Sequence, residues 1–103
     1  IKKKISLIHM SEEIPIPSQK VLINACKLAC KEDKPIMMDY WVESHSSKVL
    51  IGVRDNDEKM LVRSEEEYTS PISKIFKVAD EYIIMTENSI YLVSSKIPSR
   101  KIN

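Results

Sequence analysis

ISKIFKVADEYIIMTENSIYLVSSKI, residues 72–97, is the stretch that decides how this chain is built. Three short runs of β-branched and aromatic residues are separated by Ala79-Asp80-Glu81 and Glu87-Asn88-Ser89. Turn residues between such runs predict an antiparallel meander. With Glu87-Asn88 as a two-residue turn, Met85 pairs with Ile90, Ile84 with Tyr91 and Ile83 with Leu92. One face of that hairpin then carries Tyr82, Ile84, Tyr91 and Val93. The other carries Ile83, Met85, Ile90 and Leu92. Both faces are apolar, so the hairpin requires cover on both sides, from other strands, a helix or a second copy of the chain.

Upstream, Ser18 is a good N-cap for QKVLINACKLACKED, which meets no helix breaker before Pro35. The spacing predicts a helix over about 18–33. Around its axis Val21, Leu22, Ile23, Ala25, Cys26, Leu28, Ala29 and Cys30 cover an arc of about 220°. A helix on a sheet needs an apolar stripe of roughly 100° or a little more. The excess lies on the Ile23–Cys26–Cys30 flank, which therefore needs cover from the N-terminal segment or from another chain.

The remaining segments read as strands and connectors. Residues 3–9 alternate loosely and suggest a short first strand. Residues 10–17 (MSEEIPIP) form a connector, where two prolines favour extended chain. Residues 36–42 (IMMDYWV), 48–54 (KVLIGVR) and 59–63 (KMLVR) read as strands. The one glycine, Gly52, marks a bulge or a close backbone approach. Asp55-Asn56-Asp57-Glu58 is a strong turn, and residues 64–71 (SEEEYTSP) form an acidic loop. The expected fold is α+β: one amphipathic helix packed on a curled antiparallel meander of five to six strands, with a short N-terminal strand. Residues 1–103 are expected to form a single globular domain with short basic termini.

In outline this strand–helix–meander order resembles the cystatin arrangement. The resemblance covers topology alone, because the Gln-x-Val-x-Gly hairpin and the Pro-Trp pair of that family do not occur here. Trp41 follows Tyr40, and Gly52 follows Leu50-Ile51. Protease inhibition is therefore not implied.

The formal net charge of +1 hides an asymmetry. Lys2, Lys3 and Lys4 sit at one end and Lys96, Arg100 and Lys101 at the other. Setting those six aside from sixteen basic residues leaves ten against fifteen acidic ones in the body. Basic ends on an acidic body suit contact with a polyanion, or docking of one copy's ends on another's body. Thirteen lysines, three arginines and fifteen isoleucines are the bias an AT-rich coding sequence produces, as in many large DNA viruses and some parasites and bacteria.

Several chemistries lack their residues. One glycine cannot build a phosphate-binding loop or a dinucleotide fingerprint. Cys26, Cys30, His9 and His45 follow no zinc spacing, and mid-helix cysteines lack the neighbours that make a thiolate. Without a disulfide framework the chain reads as intracellular, cytoplasmic or within a viral particle. No apolar run approaches the ~18 residues of a membrane span, and the basic start has too short an apolar run for a signal peptide. The expectation is a non-enzymatic, self-associating domain without metal or cofactor, a homodimer that buries Ile23, Cys26 and Cys30 or joins edge strands into a continuous sheet. An abundant assembly or virion component is one version of it. The alternative is an accessory protein binding nucleic acid or another polyanion through Lys2, Lys3, Lys4, Lys96, Arg100 and Lys101.

Overall fold

A computed structural model describes residues 14–102. The strand expected over residues 3–9, and with it Lys2, Lys3 and Lys4, lies outside the described residues. In chain order the elements are α1 (Gln19–Glu32), β1 (Ile36–Met37), α2 (Trp41–Ser44), β2 (Leu50–Val53), β3 (Lys59–Val62), β4 (Ile72–Val78), β5 (Glu81–Thr86), β6 (Ile90–Ser94) and β7 (Ser99–Lys101).

The decisive hairpin has the register that its turn implies: Met85 opposite Ile90, Ile84 opposite Tyr91, Ile83 opposite Leu92. The Thr86 hydroxyl accepts from the Asn88 and Ser89 N–H groups and closes the turn. β4 precedes it antiparallel to β5, joined through Ala79, which takes a left-handed conformation at φ 54°. A register shift interrupts β4 between Ile72 and Lys74. On the far side β1 adds parallel to β6, giving a four-stranded sheet in the order β1-β6-β5-β4. A second sheet has the order β3-β2-β7, with β2–β3 antiparallel and β2–β7 parallel.

The two faces of the hairpin are covered by different layers of the same chain. On one, Ile83, Met85, Ile90 and Leu92 pack with Val21 and Ala25 of α1 and with Trp41. On the other, Ile84 and Val93 pack with Tyr40, Val49, Ile51, Leu61 and Ile97, so the second sheet is the cover. The arrangement is three layers: helix, four-stranded sheet, three-stranded sheet. A fully buried aliphatic side chain in either interface contributes roughly 1.5–3 kcal/mol by leaving water.

α1 begins where its N-cap predicts. Ser18 Oγ accepts from the Val21 N–H at 3.2 Å, and the Ser18 N–H donates to the buried Glu81 carboxylate at 3.4 Å. Capping and anchoring to β5 thus coincide in one residue. Asp33, left-handed at φ 54°, ends the helix with its N–H on the Ala29 carbonyl.

The α+β class, with one main helix, stands. Two details differ. Among the described residues the single curled meander of five to six strands is seven strands in two mixed sheets, so the cystatin-like outline does not extend to the architecture. Residues 36–42 are not one strand. After Met37 the backbone coils, the Trp41 N–H bonding the Met38 carbonyl and the Ser44 N–H that of Tyr40. This turn is held from outside, by the Trp41 indole N–H on the Pro15 carbonyl at 2.7 Å and the Ser94 N–H on Ser44 Oγ at 2.9 Å. The basic C-terminal end is part of the smaller sheet. Ser99, Arg100 and Lys101 form β7, in register with Ile51, Gly52 and Val53.

Candidate interaction surfaces

Apolar side chains meet solvent at several places, Ile16, Met38 and Val42 among them. Two surfaces gather several such groups, and each follows from how its element is laid down. The first is on α1. Val21 and Ala25 are fully buried on the sheet, with Leu28 and Ala29 packed beside them. At 100° per residue the flank beyond Ala29 carries Leu22, Cys26, Cys30 and Ile23. Leu22 is 37% and Ile23 47% exposed, and both cysteines are exposed thiols. Ile23, Cys26 and Cys30 thus share one exposed flank. The opposite flank, Asn24, Lys27 and Lys31, faces β4 across a shallow cleft floored by Phe76 and Ile83.

The second surface is the outer face of the small sheet. Strand alternation sends Ile51 and Leu61 inward to the core, and Leu50, Gly52, Met60 and Val62 outward. Arg100, opposite Gly52, follows the same face, and Ile102 beyond it lies across the glycine. A Cβ at position 52 would come within 2.6 Å of the Ile102 Cδ1 and 2.9 Å of a Val62 methyl. Here the glycine is required by close approach, because the space above it is already filled. The result is an open groove of about 840 Å³ with Leu50, Met60, Val62 and Ile102 along its floor. Lys48, Arg54, Arg63, Arg100, Glu65 and Tyr68 stand around the rim.

All three arginines of the chain line this groove, though they are differently employed. Arg63 is a fastener. Its guanidinium donates to the Asp39 carbonyl at 2.7 Å, to Glu43 at 2.8 Å and to Glu67, and lies 4.9 Å from the Tyr40 ring centre. The Glu67 hydrogen bond above all raises its pKa, so it stays charged at any ordinary pH. It ties α2 to the acidic loop. Arg54 lies 5.9 Å from the centre of the Tyr68 ring, which is 52% exposed. Among the described residues, Lys48, Arg54 and Arg100 have no carboxylate within 4.0 Å.

The predicted basic residues separate. Arg100 belongs to the groove. Lys101, one residue on, reaches Asp55 at 3.7 Å in a pair that is 73% exposed on both sides, worth little in water. Lys96 is exposed beyond β6 and does not line the groove. Lys48, Arg54, Arg63 and Tyr68 escaped sequence reasoning. Their one signal was rarity: arginine is outnumbered thirteen to three by lysine, yet every copy lies here. His45 stacks edge-on against Trp41 at 4.4 Å between ring centres. Among the described residues no three His, Cys, Asp or Glu side chains come together as a metal site, and no helix is long and apolar enough to cross a membrane.

No protein-family model matches the chain, and neither a curated protein nor a solved structure matches it.

Proposed function

We propose that this chain is a non-enzymatic interaction domain that self-associates as a homodimer through the exposed flank of α1. The observation that carries this is the contrast within one helix: Val21 and Ala25 have no exposure, while Leu22, Ile23, Cys26 and Cys30 meet solvent. Pairing two such flanks about a twofold axis removes apolar surface from water without rearranging either core. The hairpin adds nothing to this reading, because both of its faces are already covered within the chain. An abundant assembly or virion component is the concrete version that the composition favours. Light scattering of the full chain in moderate salt is expected to give the mass of a dimer, and Ile23→Glu that of a monomer with unchanged thermal stability. A wild-type monomer, or a mutant dimer, removes this interface.

A second reading, an accessory protein that binds polyanions, is favoured by a specific placement. Arg100 shares a groove with Arg54, Arg63 and Lys48. Retention on heparin that falls as salt rises, and falls further on Arg100→Ala, supports it.

A further inference from the structure

We propose that the groove on the outer face of the small sheet is a binding site for single-stranded nucleic acid. Its phosphates would be held by Arg54, Arg100 and Lys48, and a base would stack on Tyr68. This rests on the polyanion reading and moves its site from the chain's ends to a built groove.

Three features of the groove converge on that ligand. Its rim is cationic and open to a partner: Lys48, Arg54 and Arg100 have no carboxylate within 4.0 Å among the described residues, and Glu65 is the one acid in the lining. Guanidinium groups match phosphate oxygens with two parallel N–H donors, which an ammonium does not. The floor is apolar where an outward sheet face is ordinarily polar, with Leu50, Val62 and Ile102 partly exposed beneath the charges. A ligand that is anionic along one edge and flat and apolar along the other satisfies both surfaces at once. Tyr68, half exposed beside the Arg54 guanidinium, is an aromatic platform with a cation at its margin. This combination of basic groove and stacking ring is how single strands are held without sequence preference. In a duplex the bases are already stacked and the rim alone would be used, leaving the floor wet.

The test uses the full chain and a 5′-labelled mixed-sequence strand of about 12 bases, within the span a small single-strand-binding fold covers. Fluorescence anisotropy is followed across a salt series. The wild type is expected to bind, and to bind a mononucleotide at least tenfold more weakly. The double variant Arg54→Ala/Arg100→Ala is expected to lower affinity at least tenfold. It should also flatten the slope of log K against log salt by about 1.4, or 0.7 for each phosphate that is no longer neutralised. Tyr68→Ala is expected to weaken binding about 5- to 150-fold at unchanged salt slope, with Tyr68→Phe retaining it. The triple variant Lys2→Ala/Lys3→Ala/Lys4→Ala is expected to bind as wild type. Thermal melts of every variant establish that each is folded. Binding that survives removal of both arginines, or that vanishes with the three lysines, overturns the groove while leaving the polyanion reading intact. So does a Tyr68→Ala variant with full affinity. Tighter binding of poly-glutamate than of the strand overturns it in favour of an acidic protein partner. Binding of neither strand nor heparin removes both readings together.

Discussion

The two sheets of this protein share a pattern and differ in their surroundings. In the larger, apolar side chains on both faces of β5 and β6 are buried, by α1 on one side and the small sheet on the other. In the smaller, Ile51 and Leu61 are buried on the inner face, while Leu50, Val62 and Ile102 on the outer face floor an open groove beneath cationic side chains. Apolar alternation on two faces therefore has two meanings. Where layers exist to cover both, it is core; where one face lacks a layer, its apolar side chains stay in part at the surface.

That contrast breaks most easily at a pair of leucines. Leu92→Ala removes a fully buried side chain between helix and sheet and is expected to cost about 2–5 kcal/mol in chemical denaturation. Leu50→Ala, on the groove floor, is expected to cost less than half as much. Equal costs would mean that the outer face is core after all. The second test is Gly52→Ala, in which the new methyl meets Ile102 and Val62. Overpacking of this kind costs about 1–3 kcal/mol. Part of the strain is relieved if the end of Ile102 swings off β2, which a crystal structure of the variant would record as a wider groove floor. A smaller effect is read by pH. Burial pushes the Tyr40 and Tyr91 phenols above their ordinary value, with the Arg63 guanidinium partly opposing it at Tyr40. Their protonated forms are thus favoured by folding, so this stabilisation is full below about pH 10 and is lost as pH climbs beyond it. Urea midpoints measured above pH 10 should fall, and fall less steeply in Tyr40→Phe/Tyr91→Phe.

How much was legible depended on the length over which a pattern ran. Residues 81–94 set two apolar runs on either side of a two-residue turn, long enough to reveal their pairing, and Ser18 with its apolar successors revealed the start of α1. β1, two residues long, and β7, three residues of polar sequence, carry no period to read. The exposed α1 flank was visible because helical spacing is local. The groove was not, since Arg54, Arg63, Tyr68 and Arg100 come from three segments that meet only when β7 closes beside β2. Adjacent Tyr40 and Trp41 show the same limit: they serve opposite cores, which nothing in IMMDYWV announces.

What the order of residues by itself determined was the helix, its capping and the hairpin with its register, because near neighbours must satisfy backbone hydrogen bonds and side-chain periodicity together. Only the tertiary structure decided which layers cover that hairpin and where the arginines gather. The two parallel pairings, Ile36 with Ile90 and Ile51 with Ser99, join segments tens of residues apart. A pairing of that kind is selected by the burial it completes, and leaves no mark in the local spacing.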